Sequence, residues 1–171
     1  ARKGAPAQQI GDLYASEMDS IAIEKAGLSP IRRSLDQIDS IRDLRDLIRV
    51  VSADQMQGYG APAPFGWEVY TAEKNSLVER LHFEQGGLRL PTRNYYFPTD
   101  SAGKAVMAAY QKLITPLLGL SGESDSSAGR HTRDIIALET RMAAASKTPV
   151  ELRDPIANYH MMTVKTMNSL A

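Results

Sequence analysis

Cysteine is absent from the 171 residues, which excludes a disulfide framework, a thiolate zinc site and a thiol nucleophile together. It does not fix a compartment, because extracytoplasmic bacterial proteins often lack cysteine as well. Net charge is absent too: 20 Lys plus Arg balance 20 Asp plus Glu, so no field favours nucleic acid or an anionic membrane, and neither partner is expected. No apolar run approaches the roughly 18 to 20 residues that span a bilayer, and Ala1-Arg2-Lys3-Gly4 leads into no signal-peptide stretch. Histidine is scarce. His82, His131 and His160 are all there is, and no two share the i, i+4 spacing that turns two imidazoles toward one zinc ion. No catalytic, cofactor-binding or metal-ligating residue is therefore assigned to this chain.

What is present is a composition that folds: 43% hydrophobic and 23% charged residues support a packed core, with one domain as the default count. Ile10, Leu13, Tyr14, Met18 and Ile21 follow a helical period that Gly27 ends. Ser29-Pro30 reads as an N-cap and first helical residue ahead of Ile31, Leu35 and Ile38. Ser40 with Asp43 resembles a capping box for a third helix, striped by Leu44, Leu47, Ile48 and Val51. Gly58 to Pro64 then breaks helix formation. Phe65 to Tyr70 and Leu77 to Phe83, flanking polar Thr71 to Ser76, predict a hairpin. Asp100 or Ser101 caps a helix carrying Val106, Tyr110, Leu113, Ile114 and Leu117, which Pro116 is expected to bend or end. Gly119 to Gly129 reads as a solvated connection, and Ile135, Leu138, Met142 and Ala145 as the buried stripe of a helix broken at Thr148-Pro149. Thr163 caps a final helix. The predicted class is mainly α with one short antiparallel β-hairpin.

Three constellations that resemble catalytic motifs fail on inspection. Gly119-Leu120-Ser121-Gly122-Glu123 lacks the second glycine of a nucleophile elbow. Gly58-Tyr59-Gly60 has Ala63 where a dinucleotide fingerprint needs its third glycine, and follows a helix. The carboxylate pairs Asp134/Glu139 and Asp43/Asp46 are expected to be solvated or paired with neighbouring arginines, not poised for acid-base work.

Gly87-Leu88-Arg89-Leu90-Pro91-Thr92-Arg93-Asn94-Tyr95-Tyr96 is long and irregular, and it resembles the Leu-Gly-Leu-Pro-x-Arg-Asp-Tyr-Tyr segment of the neprilysin and endothelin-converting-enzyme family of zinc metallopeptidases. Ile10 to Asp19, Leu138 to Ala143, Glu151 to Pro155 and Asn158 to Thr163 are similar to further family segments, in the family's order. Glu17 stands where many members have cysteine, Asn94 where they have Asp, His160 where Asn follows the Tyr, and Lys147 where Trp is frequent. The missing cysteine fits a bacterial relative. Tyr95 and Tyr96 are expected to anchor a core and Arg93 to serve as an ion-pair or capping partner, in preference to substrate contact.

The resemblance implies a parent enzyme of two lobes that hydrolyses peptide bonds. Zinc is held in the larger lobe by a His-Glu-x-x-His helix and a later Glu, elements this sequence does not contain. Residues 1–171 correspond to part of the smaller, N-terminal helical lobe, which covers the active site and restricts substrate access. The sequence is thus expected to be an inactive segment of a longer protein, with peptide substrates reached through the parent and the catalytic domain as its partner. An extracytoplasmic bacterial setting is expected, periplasmic or secreted, free or tethered upstream. The stripes around Leu44 to Val51 and Ile135 to Met142 should not all find partners within 171 residues, so the isolated segment is expected to self-associate or pack loosely. The competing reading is a stand-alone, non-catalytic helical module that binds peptides or a protein.

Overall fold

The computed structural model describes residues 3–56 and 65–169. The glycine- and proline-rich stretch Gly58 to Pro64 lies outside the described residues, as do the chain ends. Two units are distinguished, residues 1–60 and 61–171. Among the described residues there are seven α-helices and one two-stranded antiparallel sheet, the mainly α class with a single hairpin that the periodicities predict. No helix among them is long and apolar enough to cross a membrane.

The first unit carries α1 (Pro6–Met18), α2 (Ser20–Ala26), α3 (Arg32–Asp39) and α4 (Leu44–Met56). The single helix expected up to Gly27 is two, because Asp19 interrupts it: its backbone leaves the helical region and its carboxylate accepts from the Ala22 N–H, capping α2. Gly27 does end α2, with the positive φ of 52° that glycine tolerates. Ser29 is not an N-cap. Its hydroxyl turns back to the Ala26 carbonyl, and Ser29–Ile31 form a 3-10 turn ahead of α3. Ser40 likewise closes α3 through the Gln37 carbonyl. The residue that starts α4 is Asp43, which accepts from Asp46 N–H at 2.8 Å, while the Asp46 carboxylate reaches back to Arg42 N–H at 3.3 Å. The expected Ser40/Asp43 box is therefore not formed; a capping pair lies three residues on, between Asp43 and Asp46. Within α4 the residue that is buried is Val50, whereas Leu44 and Ile48 of the expected stripe are exposed.

In the second unit β1 (Phe65–Ala72) pairs with β2 (Asn75–Gln85), from Phe65 opposite Gln85 to Thr71 opposite Glu79. The connection is shorter than the polar stretch suggested, with Glu73 and Lys74 at its tip and a register shift at Thr71/Ala72. Trp67 opposite Phe83 and Val69 opposite Leu81 share one face; Glu68 opposite His82 and Tyr70 opposite Arg80 share the other.

Helices α5 (Ser101–Leu120) and α6 (Asp125–Ala145) pack on each other, and a 3-10 turn at Arg93–Tyr96 contacts both. Asp100 caps α5 through Gly103 N–H at 2.7 Å. Pro116 neither ends nor replaces a turn of α5, which runs four residues beyond it. The ring removes one N–H from the ladder, yet Pro116 faces outward, where water can serve the freed Lys112 carbonyl. The expected long connection shrinks to residues 121–124, because Ser124 caps α6 and Gly129 lies inside that helix. The buried line of α6 is Ala128, Thr132, Glu139 and Ala143, not the predicted stripe: Ile135 and Met142 are half-buried, and Leu138 and Ala145 exposed. Thr163 caps α7 (Val164–Asn168) through Thr166 N–H, as its position suggested.

Candidate functional site

Residues 86–96 reach α6 over long sequence separations, through Arg93 and Tyr96. Gly86 must be small, since a Cβ there would meet Gly66 N at 3.1 Å, and Gly87 turns the chain at a φ of 82°. The chain then extends through Thr92 and tightens into the 93–96 turn, which drives Tyr96 inward until only 5% of it is exposed. Its hydroxyl accepts from Arg89 N–H at 3.2 Å and Leu90 N–H at 3.1 Å, and donates to Glu139 Oε2 at 2.7 Å.

That arrangement fixes the proton. With two amides on its lone pairs, the phenol can offer only its O–H to Glu139, so Oε2 serves as an acceptor. Tyr110 of α5 completes the node, its hydroxyl lying 3.0 and 3.1 Å from the two oxygens of the same carboxylate. Glu139 is 7% exposed. The expectation of a solvated or arginine-paired carboxylate is thus corrected: Glu139 is buried and satisfied by phenols. Burial is the main cause that raises both tyrosine hydroxyls above the usual phenol range, and the bond to Glu139 adds to it; the Arg89 and Leu90 amides pull Tyr96 partly back.

Two further grips converge on the C-terminal end of α6. Arg93 donates from Nε at 2.9 Å to the Ala143 carbonyl, which also accepts from Ser146 N–H at the helix end, and its guanidinium lies 5.4 Å from the centre of the Phe97 ring. This is the capping partner expected of Arg93; Tyr96 is the core anchor expected of the pair, with Tyr95 half-buried. Gln85, at the end of β2, pairs its side-chain amide with the Lys147 backbone in both directions, at 2.8 and 3.2 Å. Thr148 and Glu151 then cap each other reciprocally, at 2.7 and 3.2 Å. The bonds from Thr148 hold the Glu151 carboxyl below the usual carboxylate range, helped by Arg93 and Lys147 nearby. Between these grips lies an open groove of about 240 Å³, walled by Leu88, Leu90, Pro91, Pro149 and Leu152 with Arg93 and Lys147 at its rim.

No reacting pair emerges from this geometry. His131 contacts Glu123 at 2.7 Å, and Ser127 donates to the same Glu123 oxygen at 2.9 Å. The carboxylate separates serine from imidazole, so the trio lacks the nucleophile–base bond of a triad. His82 stacks on Tyr70 with ring centres 3.5 Å apart, and His160 is exposed. Ser121 closes α5 and sits on no strand-to-helix turn. The Gly58-Tyr59-Gly60 fragment lies outside the described residues. Among the described residues no three His, Asp, Glu or Cys side chains gather closely enough to hold a metal ion, so zinc has no fitting ligand set there.

Sequence reasoning placed Glu139 in solvent or beside arginine, and missed Gln85 and the Thr148/Glu151 box. The last was spelled out as Thr-x-x-Glu; the others carry no local signal.

Comparison with known proteins places the geometry in context. The family model described as peptidase family M13, its N-terminal part, matches residues 1–171. Endothelin-converting enzyme 1 of Cavia porcellus is 26% identical over 167 residues, 92% of this chain and 22% of that protein. Neprilysin-3 of Drosophila melanogaster is 30% identical over 107 residues, 63% of this chain and 14% of that protein. The Mycobacterium tuberculosis zinc metalloprotease Zmp1 is 35% identical and superimposes over 97% of this chain, with a TM-score of 0.84 for its inhibitor complex and 0.82 for its open state. The chain spans about a quarter of that solved protein and less of the curated relatives.

Proposed function

The chain belongs to peptidase family M13, and from that premise we propose that it is the part of a zinc-dependent peptidase that shapes access to the active site while supplying none of its chemistry. The observation that carries this reading is the match over 97% of the chain, at 35% identity, to a protein solved as a zinc metalloprotease. The parent polypeptide hydrolyses peptide bonds with zinc held by residues outside 1–171, in an extracytoplasmic setting. The helices and hairpin described above form part of the lobe that covers the zinc site and limits the size of substrate. Similar agreement with the open and inhibitor-bound forms of the mycobacterial protein supports a region that keeps its fold while the enzyme changes state. The 171 residues alone are inactive, and their exposed apolar faces favour self-association.

The test compares the parent polypeptide with residues 1–171 alone on a series of peptides of increasing length. The parent should retain stoichiometric zinc through dialysis, cleave short peptides, and lose rate sharply above a limiting length. The isolated chain should do none of this. A parent that binds peptides without cleaving them would sink the peptidase reading in favour of a binding module, and a parent indifferent to substrate length would sink the access role.

A further inference from the structure

The β1–β2 hairpin is anchored differently at its two ends. Along most of its length it lies bare: in β2 His82 is half-buried and every other residue exposed, and among the described residues neither strand packs on a helix as α5 packs on α6. A two-stranded hairpin of this kind is marginal by itself and depends on its anchors. At the base the anchor is Gln85, through its paired amide bonds to the Lys147 backbone. The tip is docked as well. Ala72, the last residue of β1, is 5% exposed although Thr71, Glu73 and Lys74 around it are exposed, and the Lys74 ammonium lies 4.0 Å from the centre of the Tyr159 ring.

Tyr159 can serve as a fixed point because the chain that carries it is bonded to itself. After the Thr148/Glu151 box, Asp154 Oδ1 accepts from the Ile156 and Ala157 N–H groups at 2.9 and 3.0 Å. The Asn158 side-chain amide donates to the Glu151 and Asp154 carbonyls at 2.8 and 2.7 Å, and its Oδ1 accepts from Lys147 Nζ at 2.6 Å. Asn158 thus draws the two ends of this segment together. Residues 147–159 form a brace that grips the hairpin's base through Lys147 and its tip through Tyr159. The grips are unequal: the base has two amide bonds, whereas an exposed cation over a ring biases an equilibrium only about two- to fivefold.

We propose that the hairpin is an arm with a releasable latch at its tip: Lys74 and Tyr159 hold it against the 147–159 brace, and the tip lifts and uncovers Ala72 while the Gln85–Lys147 pair keeps the base in place. Asn158 is a positioning residue for the latch. Its hydrogen bonds all run within the brace, so it acts on the hairpin through the placement of Tyr159.

Thiol alkylation of the native parent polypeptide tests this, with Ala72→Cys as the reporter and Glu73→Cys as the exposed reference. Iodoacetamide uptake is read peptide by peptide by mass, so thiols elsewhere do not interfere. Ala72→Cys should react at least about tenfold more slowly than the reference. Adding Lys74→Gln or Tyr159→Leu should raise its rate about two- to fivefold, the two together no further than either alone, and Lys74→Arg, which keeps the cation, should leave it low. Asn158→Ala should give the same rise from outside the contact. Amide exchange at Lys147, whose N–H is bonded to Gln85, should keep its rate throughout. A reporter as reactive as the reference, or one unmoved by Lys74→Gln and Tyr159→Leu, overturns the latch. So does exchange at Lys147 that quickens in step with alkylation, since the whole unit would then be loosening. A rise with Tyr159→Leu but none with Asn158→Ala overturns the positioning role alone.

Discussion

The two units are stabilised on different length scales. In the first, Asp19 bonds to Ala22, Ser29 to Ala26, Ser40 to Gln37 and Asp43 to Asp46, each only three residues along the chain. In the second, Tyr96 reaches Glu139 across 43 positions, Arg93 reaches Ala143 across 50, and Gln85 reaches Lys147 across 62. Local bonds shape helices one at a time and leave each nearly as stable as its own caps and propensities make it. Long-range bonds tie the hairpin, the 86–96 loop and α6 to one another, so one replacement is felt by all of them. The predictions below separate the two regimes.

The largest effect belongs to Glu139→Ala. It leaves the Tyr96 and Tyr110 hydroxyls without their acceptor, and unsatisfied buried groups at about 1 to 3 kcal/mol each predict a loss of about 4 kcal/mol in urea unfolding of the second unit. A loss under about 1 kcal/mol would mean that the node is ornamental and the contrast between units false. Tyr96→Phe comes next, at about 2 kcal/mol, because the two backbone amides it orphans are only part-buried and fall at the low end of that range. Tyr110→Phe, which removes a single donor, should cost about 1 kcal/mol. Equal costs for the two tyrosines would show that the Arg89 and Leu90 amides find water instead.

Asp43→Ala tests the other regime. Loss of an N-cap costs about 1 kcal/mol, and amide exchange should quicken at the start of α4 while α5 and α6 keep their rates. Exchange quickening throughout the chain would break the distinction between local and shared stability.

The pH responses are smallest near neutrality and act at opposite ends. Tyr96 and Tyr110 have folded-state values raised above the ordinary phenol value of 10.0, so the folded state favours their neutral form. Their contribution is complete below pH 10 and declines as the pH rises through the folded values. A melting curve that falls from about pH 10 in wild type, and less steeply in Tyr110→Phe, is the expected outcome. Glu151 has the reverse sign. Its folded value lies below 4.5, so its small contribution is complete above that pH and disappears as acid titrates the folded carboxylate. Thr148→Ala removes the hydroxyl bond but keeps the backbone N–H bond to Glu151, so it should weaken this acid limb and leave the alkaline one intact.

Much of the fold was legible because it rests on local rules. Asp100 and Thr163 announce helix starts as short polar side chains placed to reach the third N–H ahead, and the clustering of Phe, Trp, Val and Tyr around residues 65 to 83 marks the strands. Asp19 was passed over and Ser29 misread because a short polar side chain can bond forward as a cap or backward to a carbonyl, and only the backbone path decides. The face of α6 was illegible for a different reason. Leu138 looks like core and Glu139 like surface until Tyr96 and Tyr110 arrive from 43 and 29 positions away, bringing the donors that make a buried carboxylate tolerable. Of the candidate site, the irregular stretch around Pro91 stood out by its resemblance, whereas Gln85, a polar residue at a strand end, looked like any other.

That glutamine has a consequence of its own. Its primary amide imitates a peptide group, giving one N–H and taking one from the Lys147 backbone. The imitation depends on a nitrogen that water can remove, because glutamine is among the heat-labile residues. Deamidation to glutamate would release ammonia and set a carboxylate oxygen against the Lys147 carbonyl that the amide now serves. The link between hairpin and helix therefore hangs on one nitrogen atom, and Gln85→Glu, which swaps that donor for an acceptor, would turn an attraction into a repulsion.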